Sequence, residues 1–90
     1  MILELYTKNG TFLSLVIEKQ SELVLKVDKE NIVVFYKGFE TQIKFNEKFD
    51  VLINLVGSIR EEANDAMREK QDCCHINLDS LIHDIKLDLE

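Results

Sequence analysis

Cys73-Cys74-His75, with His83 eight residues further on, gathers all the thiols and imidazoles of this chain into one short stretch. Thiolate and imidazole are the donors of zinc sites, and four of them would close a tetrahedron. The spacing argues against that use. Structural zinc sites separate paired cysteines by roughly two to four residues, so that both sulfurs turn toward one ion. Adjacent cysteines point in different directions on a helix and on a strand alike. Asp72, directly before them, opposes the thiolate that redox or nucleophilic chemistry requires. The segment is expected to be a helix-end loop with one thiol tucked inward and the other free. Ser80 and His83, flanked by Asp79 and Asp84, would be surface neighbours on a helix. Nucleophilic catalysis also needs an oxyanion site and a pocket, and neither is signalled. The glycines stand apart at positions 10, 38 and 57, so no phosphate-cradling loop exists. The residue inventory predicts no catalytic residues, no metal, no cofactor and no enzyme.

A second constellation is electrostatic. Residues 1–46 carry six lysines against six carboxylates, whereas residues 47–90 carry five basic and eleven acidic groups. The formal charge of −6 therefore belongs to the second half. On a helical projection Glu47, Asp50, Asn54, Glu61, Asp65, Glu69 and Asp72 cluster opposite the apolar side, interrupted only by Arg68. Such a row would run on the order of 35–40 Å. It would present negative charge to a basic groove much as a strand of phosphates does. Glu61, Glu62, Asp65, Glu69 and Asp72 are the expected partner-binding residues. The plain alternative is that the solvent side of an amphipathic helix is normally charged, and acids near its start suit the dipole. The carboxylates crowd the C-terminal end instead, where the dipole disfavours them.

These groups need elements to hold them. Ile2 to Thr7 alternates, and Asn9-Gly10 suits a two-residue turn because both central residues of a type I′ turn need positive φ. That turn would set Leu5 opposite Ser14 and Leu3 opposite Val16. A third strand is expected from Glu22 to Asp28. Ile32 to Tyr36 is a β-branched and aromatic run suited to a fourth. Lys37-Gly38 would turn it into a fifth, with Tyr36 facing Phe39, Val34 facing Thr41 and Ile32 facing Ile43. From Asn46, the expected N-cap, Phe49, Leu52, Ile53, Val56, Ile59, Ala63, Ala66 and Met67 recur at helical spacing. Gly57 is the weak point of that helix. Leu78, Leu81, Ile82, Ile85 and Leu89 fit a second helix, while Ile85, Leu87 and Leu89 also fit a strand. The helix matches more positions. The expected fold class is α+β: a five-stranded antiparallel β-meander (1–46) packed by one long amphipathic α-helix (47–72), with a short C-terminal helix, or sixth strand, over 77–89.

Ninety residues, 46% hydrophobic and 31% charged, bound the chain to one small folded domain. A pI near 4.9 argues against direct binding of nucleic acid, which relies on clustered Lys and Arg. It suits a protein partner with a basic surface. No apolar run reaches the ~20 residues of a membrane span, and Met1 to Leu5 lacks the basic start of a secretory signal, so a cytoplasmic protein is expected. One helix covers one sheet face, yet both faces of the first hairpin are apolar, so self-association into a homodimer is a second expectation. The functional expectation is a small acidic, non-enzymatic interaction protein that inhibits or regulates a macromolecular partner. Its sharpest form is a phage or mobile-element inhibitor of a nucleic-acid enzyme (anti-CRISPR or anti-restriction in style), or a toxin immunity protein. The alternative is an assembly subunit associating through its sheet, sensitive to a charge at Leu15 or Val33.

Overall fold

Two tight reversals start the architecture. In the computed structural model, which describes residues 1–90, strand β1 (Ile2–Thr7) turns into β2 (Gly10–Val16). Thr7 pairs with Gly10, so the turn residues are Lys8-Asn9, one position earlier than the Asn-Gly signal suggests. Gly10 takes φ +128°, a value that favours glycine. The register then slips between Leu5 and Tyr6, leaving Phe12 as the extra residue of a β-bulge. Beyond it Leu5 faces Leu13 and Leu3 faces Leu15, replacing the expected Leu5–Ser14 and Leu3–Val16 pairs. The cause is burial: because side chains alternate with period two, a one-residue slip gathers four leucines on one face. Ile2, Ser14 and Val16 are left on the exposed face.

The second reversal follows expectation. Strands β3 (Val24–Asp28), β4 (Asn31–Tyr36) and β5 (Phe39–Lys44) form an antiparallel sheet. Tyr36 faces Phe39, Val34 faces Thr41 and Ile32 faces Ile43. Lys37 and Gly38 both take positive φ, at 46° and 80°, as a type I′ turn requires.

The five strands do not form one meander. A 3-10 turn at Gln20–Glu22 carries the chain away after β2, and β2 and β3 do not pair. The Tyr36 hydroxyl fixes that break by accepting the backbone N–H groups of Glu18 (2.7 Å) and Lys19 (3.3 Å). A strand absent from the sequence reading, β6 (Cys73–Asn77), instead pairs in parallel with the free edge of β1. The result is two three-stranded sheets ordered β2-β1-β6 and β3-β4-β5. Parallel pairing with β1 satisfies backbone groups that a β1–β2 hairpin alone would leave open.

Helix α1 runs from Phe49 to Arg68 and α2 from Leu78 to Leu89. The first is shorter than the expected 47–72 at both ends. Lys48, not Asn46, occupies its N-cap and offers no side-chain bond. At the other end Lys70 adopts φ +57°, and the N–H groups of Glu69, Lys70 and Gln71 turn back onto the last carbonyls. That left-handed residue stops a helix. The C-terminal segment is the helix that periodicity favours, capped by Asn77, whose side chain accepts the Ser80 N–H at 3.2 Å. Along α1, Val51, Leu52, Leu55, Val56, Ile59, Ala63 and Ala66 are buried. The helix lies across β3 and β6 and against α2, while α2 covers β1. Both sheets thus share one apolar core through α1. No helix is long and apolar enough to cross a membrane.

Candidate functional site: an acidic groove between α1 and β6

Glu61, Glu62, Asp65, Glu69 and Asp72 are all solvent-exposed. Helical spacing sets Glu62, Asp65 and Glu69 on successive turns of one side of α1. They do not form the continuous straight rod expected from the sequence. Glu69 is the C-cap, and Asp72 lies beyond the left-handed Lys70, in the turn leading to β6. Glu47 precedes the helix, its carboxylate mostly covered and paired with Lys86 at 2.9 Å. Of the expected row, Glu61, Asp65, Glu69 and Asp72 thus fall on the C-terminal half of α1 and the turn after it, with Asp50 apart at the helix start and further exposed acids on α2.

The parallel strand β6 supplies the facing wall. Glu62, Asp65 and Glu69 line one side of an open depression of about 380 Å³, and Cys73, Cys74 and His75 line the other. Cys73 and Cys74 lie on a strand, not in the expected helix-end loop, so their side chains take opposite faces. Cys74 is the inward one, packed at the edge of the core with its thiol 3.9 Å from the Glu62 carbonyl. Burial pushes its pKa up, and the nearby Glu62 and Cys73 push it further. A thiol held protonated is a poor nucleophile. His75 faces Glu4 of β1, with Nδ1 at 3.4 Å from Oε1. No three Cys, His, Asp or Glu side chains converge where an ion could sit. His83 is exposed on α2, away from this wall, and Ser80 gives its backbone N–H to the Asn77 cap.

The groove's charge is nearly uncompensated. Of the five carboxylates only Asp65 has a cationic partner, Arg68, at 2.8 Å. Glu69 accepts a neutral amide from Gln71 at 2.8 Å. Partial burial raises the Glu62 carboxyl above its ordinary value, and the charges of Asp65 and Glu61 raise it further. No lysine of residues 1–46 pairs with these acids; Lys37 pairs with Glu18 at 2.6 Å and Lys44 approaches Glu30 at 3.9 Å. A larger depression, of about 630 Å³, lies at the other end of α1 and holds the Glu47–Lys86 pair, so its charges are mixed. Sequence periodicity exposes the five acids. It does not reveal the groove, because the β1–β6 pairing joins residues about seventy positions apart.

No family model, curated protein or solved structure matches the chain. Fold and site together define a small α+β protein whose distinguishing surface is a one-sided acidic groove.

Proposed function

We propose that the protein is a non-enzymatic interaction protein that binds, and thereby inhibits or regulates, a macromolecular partner with a basic surface. The observation that carries this reading is the charge of the groove and its rim: Glu62, Asp65 and Glu69 line it, Glu61 and Asp72 adjoin them in sequence, and of these five exposed carboxylates one is ion-paired. Each Lys or Arg of a partner brought to Glu62, Asp65 or Glu69 relieves repulsion that the free protein already holds. Ordinary surface acids dispersed among lysines offer no such relief. Long-range attraction of this kind acts chiefly on the rate of encounter. A basic channel built to hold nucleic acid is the partner type that such a row fits, by imitation of phosphates. The sharp form of the reading is an inhibitor of a nucleic-acid enzyme of the kind phages and mobile elements carry, in anti-CRISPR or anti-restriction style. A toxin immunity protein is its close relative. Direct nucleic-acid binding does not fit a surface of this sign.

The test is affinity capture from the native host's lysate with two baits, the wild-type chain and a Glu61→Lys, Asp65→Lys, Glu69→Lys variant. The wild type retains a basic protein at about 0.1 M salt, where the Debye length is about 10 Å, and releases it near 1 M, where it is about 3 Å. The variant retains none. If both baits retain the same proteins, the acidic groove is ordinary solvent surface.

A further inference from the structure

The edge opposite β6 in the β2-β1-β6 sheet has its own chemistry. Strand β2 (Gly-Thr-Phe-Leu-Ser-Leu-Val) contains no charged residue and no proline. The other edge strands each carry a charged or titratable side chain: Lys26 and Asp28 on β3, Glu40 and Lys44 on β5, His75 on β6. Charges and prolines on edges are what normally prevent one sheet from pairing with another. The bulge at Phe12 blunts one end of β2, but Leu13 to Val16 runs on without irregularity.

Backbone geometry identifies which groups of that run are free. Met1 and Ile17 exchange both backbone bonds, at 2.7 Å and 3.1 Å, and are thus a hydrogen-bonded pair of the antiparallel ladder. Such pairs alternate with non-hydrogen-bonded ones. Leu3–Leu15 and Leu5–Leu13 are then bonded, while Ile2–Val16 and Glu4–Ser14 are not. The N–H and C=O of Ser14 and Val16 therefore point away from β1, and no other strand pairs with β2 there. Both residues are exposed, Val16 at 64%.

We propose that β2 pairs with β2 of a second copy, antiparallel about a two-fold axis at Leu15. In that register Ser14 of each copy opposes Val16 of the other, and the two pairs exchange about four backbone hydrogen bonds. Leu15, which is only partly buried at the core's margin, meets its own equivalent as a close non-hydrogen-bonded pair. The two sheets become one of six strands, and the interface is isologous. Self-complementarity argues for a second copy as the occupant: the free groups of Ser14 and Val16 are spaced symmetrically about Leu15, and β2 brings no charged side chain against its own equivalent. The acidic groove sits beside β6, at the opposite edge of the same sheet, and stays open on both copies. This inference is independent of the reading of that groove.

Sedimentation equilibrium of the full chain from about 1 to 300 μM, a range that brackets Kd values typical of modest interfaces, reads the result. The 10.5 kDa chain is expected to move to twice that mass as concentration rises. Ser14→Pro deletes an N–H that makes no bond within the chain, a position where an edge strand tolerates proline. It is expected to remain folded by circular dichroism and to sediment as a monomer. Val16→Lys, at an exposed site, is expected to weaken the dimer at least about tenfold, and it keeps the test intact should Ser14→Pro unfold. Lysine at Glu61, Asp65 and Glu69 is expected to leave the dimer unchanged, which separates this proposal from the partner-binding one. A wild type that stays monomeric overturns the pairing, even where β2 takes up a strand of some other protein. So does a dimer that neither β2 variant weakens.

Discussion

Glu62 is the residue at which the local electrostatics of α1 are most legible. Burial and two acidic neighbours raise its carboxyl above the ordinary value, so folding disfavours its charged form. Stability contributed by this group is accordingly highest when the carboxyl is protonated and falls as pH rises through the raised value. Glu62→Gln is expected to stabilise the fold at neutral pH by a few tenths of a kcal/mol, a small effect because the side chain is largely hydrated. Thermal melts at two pH values check this: the gain should shrink as pH falls and vanish well below the ordinary glutamate range, where Glu62 is protonated in both states. Cys73 and Cys74 offer a second check. Cys73 is exposed, while the Cys74 thiol is partly buried and its pKa is raised. Alkylation near pH 8 should be biphasic, with the fast phase absent from Cys73→Ser; one common rate would contradict the strand assignment. That adjacent cysteines diverge was legible from geometry alone. Which of them turns inward was not, because it depends on β6 pairing with β1.

At the scale of elements, agreement followed the locality of the signal. The Lys37-Gly38 hairpin matches its expected register because turn type and alternation agree within the fourteen residues from Asn31 to Lys44. The first hairpin departs from expectation because gathering Leu3, Leu5, Leu13 and the partly buried Leu15 on one face outweighs the preferred turn, and the bulge at Phe12 absorbs the mismatch. Helix α1 was legible in part of its apolar period, since Leu52, Val56, Ile59, Ala63 and Ala66 are buried while Phe49 and Ile53 are exposed and Val51 and Leu55 are buried instead. Its end was not, because Lys70 takes a left-handed conformation with no glycine to signal it. Gly57 is exposed, and a Cβ built there meets nothing within 4 Å. Close helix-to-sheet approach is therefore not its role, and Gly57→Ala should raise stability by about 0.5–1 kcal/mol in a denaturant titration. Leu55 is fully buried on the opposite side of the same helix. Leu55→Ala should cost about 2–5 kcal/mol, which is a large share of the stability of a domain this size. Equal, small effects at both positions would mean that α1 does not pack on the sheets with this face.

Over the whole molecule, the sequence's division into a charge-balanced first half and an acidic second half becomes a spatial one. Lys37 and Lys44 pair locally with Glu18 and Glu30, and Glu62, Asp65 and Glu69 stand together on α1 and its C-cap beside β6. The long-range parallel pairing that completes the groove lay beyond periodicity and turn chemistry, which report only near neighbours. The dependence of the association rate on ionic strength, measured with the basic partner captured by the wild-type chain, addresses the proposed recognition most directly. Between about 0.05 and 0.5 M salt the wild-type rate should fall at least about tenfold, as expected for steered encounter. Lysine at Glu61, Asp65 and Glu69 should slow the low-salt rate and flatten its salt dependence. Equal rates and equal slopes for the two chains would contradict recognition through this face.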